Sequence, residues 1–149
     1  MCIENIFAKY ENKDIASLVL RVSVSALMLF HGIAKFQGGI DGIKELVVSF
    51  GLPSLLAYGV YVGEILMPLL LILGLLTRVS SLIFGGTMLF AIALAHSEML
   101  FAIDAETGGL MIELPLLYLI ASIALFFLGA GKFSVDAKLK QCPCRFKKA

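Results

Sequence analysis

Residues 53–95 read PSLLAYGVYVGEILMPLLLILGLLTRVSSLIFGGTMLFAIALA, two long apolar runs with Thr77-Arg78 between them. A helix rises about 1.5 Å per residue, so roughly 20 apolar residues cross the ~30 Å hydrocarbon layer of a bilayer. Two such runs joined by two residues have to fold back on one another, which makes the stretch an antiparallel transmembrane hairpin. Pro53 suits the start of the first run, because the first N–H groups of a helix have no intrahelical partner. Glu64 and Pro68 interrupt that same run. Proline lacks the N–H that would bond the carbonyl four residues earlier, and here that carbonyl belongs to Glu64. The helix is expected to break its regular bonding at the level of a carboxyl group that lipid would reject.

Working outward, apolar runs at 15–36 and 110–130 flank the hairpin at 53–76 and 79–96. The fold class is therefore all-α, an integral membrane four-helix bundle, and 1–149 forms a single membrane domain with a basic tail over 132–149. Composition agrees: 60% of the residues are hydrophobic and the mean hydropathy is +0.98, against roughly 45–50% apolar residues in soluble domains. Gln37-Gly38-Gly39 ends the first run. Beyond it, Ile40, Ile43, Leu46, Val47 and Phe50 recur at helical spacing among Asp41, Lys44 and Glu45, the pattern of a short interfacial helix between the first two spans.

The net charge is only +1, but half of the Lys and Arg residues lie after residue 131. Beside a membrane span such an end is a topology signal and a contact for anionic lipid, not a nucleic-acid patch. With both termini cytoplasmic, the inside holds Lys9, Lys13, Arg21, Arg78 and the tail, and the outside only Lys35 and Lys44. The positive-inside rule selects this orientation, in a bacterial plasma (inner) membrane. Glu4, Glu11, Asp14 and Arg21 make the N-terminus a poor cleavable signal, so it is expected to be retained. Cys2, Cys142 and Cys144 do not form a disulfide framework. Cys142-Pro-Cys144 is a candidate thiol pair on a cytoplasmic tail, where a stable disulfide is not expected.

His31, Glu64, His96 and Glu113 place one ionisable side chain on each span. Such groups in hydrocarbon face the protein interior and a partner, and they mark function. Counting residues puts His31, His96 and Glu113 near the outer helix ends and Glu64 roughly 15 Å down. Arg21, Ser25, Met28, Gly32 and Lys35 form a polar and small stripe along the first span. Ser81, Gly85, Met88, Ile92 and His96 do so along the third, and Gly59 and Gly63 allow a close helix approach on the second. The structural alternatives are snorkelling anchors for Lys35, Arg21 and Arg78, satisfied helix ends for the imidazoles, a helix-dipole partner for Glu113, and a protonated, hydrogen-bonded structural carboxyl for Glu64. A di-iron site would need Glu-x-x-His pairs, which are absent, so a metal is not expected. Proton exchange with a small polar molecule or a quinone head group suits the same residues.

Leu-Phe-His31-Gly-Ile-Ala-Lys35-Phe, Gly-Glu64, Leu-Gly-Leu-Leu-Thr-Arg78, Ala-His96, Glu113-Leu-Pro-Leu and Leu-Gly-Ala-Gly-Lys-Phe-Ser-Val-Asp136 together resemble the DoxX family over about residues 15–138. The resemblance implies a four-helix membrane protein linked to redox chemistry, such as thiosulfate:quinone oxidoreductase subunits and complexes that handle thiol or oxidative stress. It also implies that His31, Lys35, Glu64, Arg78, His96, Glu113 and Asp136 occupy characteristic positions. Three functions follow as expectations. The first is a redox subunit handling a quinone or small sulfur compound in the outer half of the bundle. Here His31, Glu64, His96 and Glu113 are catalytic, and Lys35 and Arg78 bind ligand. The second is a membrane anchor for a soluble redox partner protein, and the third a carrier of small molecules or ions. Membrane lipid, a small-molecule ligand and a homo-oligomeric partner are the other expected associations.

Overall fold

The computed structural model describes residues 12–95, 100–104 and 108–141. Asn12 starts the first helix: its Oδ1 accepts the N–H groups of Asp14 (3.1 Å) and Ile15 (3.2 Å), donors that a helix N-terminus leaves unpaired. Helix α1 runs over Lys13–Gly38 and stops where Gly39 takes φ 84°. The short helix expected next is α2, Asp41–Ser49. Its Val47, with the preceding Ile40, is buried against Ala57. Lys44 pairs with Asp41 at 2.8 Å, and their hydrogen bond lowers the Asp41 pKa and raises that of Lys44.

The second span is α3, Ser54–Leu73. It opens as a 3₁₀ turn over Ser54–Tyr58 and passes through one α-helical stretch, Gly59–Tyr61. It then widens into a π turn over Val62–Leu66 and ends as α-helix over Met67–Leu73. The widened turn is the form taken by the expected break at Pro68. The Met67 N–H reaches back to the Val62 carbonyl, shifting the register just before the residue that cannot donate. Helix α4 is Thr77–Ala95 and α5 is Glu113–Leu128; a short α6, Val135–Gln141, follows.

Two boundaries differ from the sequence reading. Thr77 and Arg78 are the first turn of α4, and the hairpin bends instead at Gly74 (φ 68°) and Leu76 (φ 49°). Glycine tolerates the left-handed conformation that ends α3 there. The last span is shorter than 110–130, because Leu110 is held in a bridge to Ile103 and Gly129 (φ 72°) ends the helix. Helices α1, α3 and α4 are long and apolar enough to cross a membrane; α5, with 16 residues, is an apolar helix below that length.

The four long helices close a ring in which α1 meets α3 and α5, and α4 meets α3 and α5. Met28, Met67, Leu71, Phe84, Met88, Tyr118 and Leu125 fill its centre. The distribution of polarity is that of a protein whose solvent is lipid. Ser17, Arg21, Ser25, Ser80, Ser81 and Ser122 are buried, whereas Leu27, Phe30, Leu82, Leu89, Leu117 and Phe127 lie exposed. On α1 the buried residues Arg21, Ser25, Met28 and Gly32 are those of the expected stripe, extended by Ser17. On α4, Ser81, Gly85 and Met88 are joined by Thr77, Ser80 and Phe84. Gly63 is packed against Thr87, whereas Gly59 faces open space.

The glycine-rich segment after α5 closes the end of the bundle where the chain enters. Ser17 Oγ donates to the Gly129 carbonyl at 2.6 Å. Arg21, only 1% exposed, donates through Nη1 to the carbonyls of Leu71 and Ile72, both at 3.2 Å, and through Nη2 to that of Phe133. It is a clasp joining α1, α3 and the segment after α5, not a snorkelling anchor. Asp136 completes the closure by accepting the N–H groups of Leu76 (2.9 Å) and Thr77 (3.0 Å). A side chain thus caps α4 from 59 residues further along the chain.

Candidate functional site

At the opposite end of the bundle, Lys35 Nζ lies 2.5 Å from Glu64 Oε1. The π turn of α3 places Glu64 in the interior, where it is 3% exposed. Gly32 lets α1 approach: a Cβ there would stand 2.6 Å from the Glu64 carbonyl oxygen and 2.7 Å from Ile65 Cγ1. The backbone acceptor that Pro68 leaves without a donor is therefore covered by α1 at a residue without a side chain. One turn further along, Lys35 reaches the carboxylate, with 36% of its own side chain exposed.

That contact also sets the level of Glu64. Gly32 is six residues from the end of α1, about 9 Å of helix. Glu64 thus lies in the same layer as His31 and Lys35, and counting along α3 alone had placed it deeper. Among the described residues, its buried Oε2 has no hydrogen-bond partner. A buried carboxylate oxygen left without a donor costs free energy, so a hydrogen-bond donor from a ligand would satisfy it.

His31 is exposed, and its ring meets that of Tyr118 edge-on, with centroids 6.3 Å apart and planes at 82°. Tyr118, 5% exposed, also packs edge-on against Phe84 at 5.9 Å. It was not singled out from the sequence. The available signal was a lone phenol in an aliphatic run, five residues after Glu113 on α5.

The other expected site residues lie elsewhere. Glu113 is the exposed first residue of α5, about 7.5 Å of helix above Tyr118, outside the buried group. His96 lies outside the described residues, as do Cys2, Cys142 and Cys144. Arg78 is at the far end, beside the clasp, exposed in a cleft with Asp136. The characteristic positions thus divide: His31, Lys35 and Glu64 form one layer with Tyr118, and Arg78 and Asp136 belong to the other end. Among the described residues, no three His, Cys, Asp or Glu side chains stand close enough to hold a metal ion.

Fold and site together define a polytopic helical membrane protein with a buried, ion-paired carboxylate and, in the same layer, an imidazole packed on a phenol. The chain belongs to the DoxX family, which it matches over residues 16–97. It is 32% identical over 123 residues to a Bacillus subtilis protein named "Putative oxidoreductase CatD", covering 83% of this chain and 86% of that one. Two Haemophilus influenzae proteins, each named "Uncharacterized protein", are also similar. One is 35% identical over 123 residues (80% of this chain, 87% of the relative) and the other 34% over 137 residues (85% of each). No solved structure matches the chain.

Proposed function

We propose that this protein is a redox subunit of a bacterial inner membrane, with both termini cytoplasmic, that handles a quinone or a small sulfur compound in the outer half of the bundle. The observation that carries the reading is Glu64, buried and held by Lys35 through one oxygen while the other has no partner among the described residues. Reducing a quinone to a quinol takes up two electrons and two protons. Two thiosulfate ions that join through a new S–S bond into tetrathionate release two electrons and balance that step, in the manner of a thiosulfate:quinone oxidoreductase. The side chains move the protons: Glu64 exchanges one at Oε2, and His31, exposed at the edge of the site, exchanges protons with its surroundings. Lys35 keeps Glu64 oriented, and Tyr118 supports the imidazole. The word oxidoreductase in the name of the Bacillus subtilis relative supports this class of chemistry. The basic residues at the chain-terminal end of the bundle support the orientation.

The test is thiosulfate-dependent reduction of a short-chain quinone by protein in lipid nanodiscs, with quinone extracted from the same preparation. Glu64→Gln and His31→Ala are expected to lose turnover or quinone retention while keeping the helical circular dichroism of the parent. Full activity and retention in both folded variants would end the reading.

A further inference from the structure

Arg78 is left over by the redox layer. It lies in a cleft of about 560 Å³ at the clasped end of the bundle, lined by the start of α4 and the segment after α5. Helix α4 has 19 residues, and the first four N–H groups of a helix have no intrahelical partner. Asp136 takes those of Leu76 and Thr77, leaving those of Arg78 and Val79 at the cleft. Thr77, 1% exposed, lies at the base of the cleft, and its buried hydroxyl has no hydrogen-bond partner among the described residues.

The acidic residues of the cleft are already engaged. Asp14 accepts the Lys132 N–H at 2.9 Å and faces Lys132 Nζ at 3.4 Å, and both carboxylate oxygens of Asp136 cap α4. Among the described residues that line the cleft, Lys132 faces Asp14, and the exposed Arg78 guanidinium is the cation open to an external anion.

A second cleft lies along the α4–α5 seam. It holds about 300 Å³, is lined almost wholly by apolar surface, and rises from Leu82 and Phe126 to Leu89 and Leu119. Leu82 lies one helical turn beyond Arg78, and Gly86 forms an open floor where an added Cβ would touch nothing within 4 Å. A cationic recess at a helix N-terminus, with an apolar groove beginning one turn further along the same helix, matches one ligand in both chemistry and order.

We propose that the α4–α5 seam is a binding site for an anionic phospholipid of the leaflet at the chain-terminal end. The phosphate is held by the Arg78 guanidinium and the N–H groups of Arg78 and Val79, and an acyl chain lies in the groove over Gly86. This site is independent of the redox layer.

The test is native mass spectrometry of the full chain released from nanodiscs of mixed phosphatidylglycerol and phosphatidylcholine. Parent protein is expected to retain phosphatidylglycerol with a roughly tenfold preference, equivalent to about 1.4 kcal/mol. Arg78→Gln should abolish the preference. Gly86→Leu, which fills the groove without a backbone clash, should lower retention of both lipids while leaving the thermal unfolding midpoint unchanged. Equal retention of the two lipids by the parent would overturn the proposal, as would an unaltered preference in Arg78→Gln. Protection of Arg78 by inorganic phosphate alone, undiminished in Gly86→Leu and without lipid preference, would assign the cleft to a free anion and also overturn it. Should Arg78→Gln not fold, the Gly86→Leu result decides.

Discussion

Replacing Lys35 with methionine keeps the length of the side chain and removes the charge that faces Glu64. Loss of one partner from a fully buried pair costs about 3–5 kcal/mol, because an uncompensated charge stays behind, whereas an exposed pair is worth ~0–1 kcal/mol. The Lys35–Glu64 pair is mixed, with side chains 36% and 4% exposed. Screening on the lysine side lowers the expected cost to about 1–3 kcal/mol, between those limits. Glu64→Gln removes the buried charge while keeping the shape, and is expected to cost about 1 kcal/mol. In the double variant no charge remains to be stranded. Its cost should therefore fall short of the sum of the single costs by about 1–2 kcal/mol, a coupling typical of residues in contact. Sodium dodecyl sulfate titration in mixed micelles, followed by far-ultraviolet circular dichroism, reads all four proteins; the chain has no Trp to report by fluorescence. Additive costs, within about 0.5 kcal/mol, would refute the ion pair as the interaction that holds Glu64 in place.

Two further substitutions test the geometry around the sites. Gly32→Ala puts a Cβ 2.6 Å from the Glu64 carbonyl, so α1 and α3 must separate, at a cost of about 1–3 kcal/mol in the same titration; crosslinking between cysteines introduced at positions 35 and 64 should also fall, and unchanged crosslinking would refute the close approach. Asp136→Asn keeps one oxygen to cap α4 and loses the other, so the thermal midpoint should drop by the equivalent of roughly 0.5–2 kcal/mol; an unaltered midpoint would show that the clasp does not depend on that carboxylate.

Much of this arrangement could be read from residue spacing. The stripe Arg21, Ser25, Met28 and Gly32 faces inward because a helix brings every third or fourth residue to one side. The role of Pro68 followed from a missing N–H. Other features depended on long-range contacts that spacing does not contain. Arg21 could have been an anchor at the membrane edge, and only the approach of the Phe133 carbonyl makes it a clasp. Gly74-Leu-Leu reads as a continuing apolar span, yet it forms the turn because Asp136 caps the helix immediately after it. Tyr118 gave little warning, since its place beside His31 depends on how α5 is rotated against α1.

From the amino-acid order alone follow the membrane class, the helical bundle, the short helix between the first two spans and the inward faces, because these rest on hydrophobicity and on a period of 3.6 residues, both properties of local sequence. Which ionisable groups meet was decided by tertiary structure. Gly32 admits the Glu64 carbonyl, the π turn aims the carboxylate inward, and Lys35 then reaches it, so Glu64 joins the layer of His31 while Arg78 and Asp136 close the other end. Helix rotation and relative depth come from packing between segments far apart in the chain, and no local pattern specifies them.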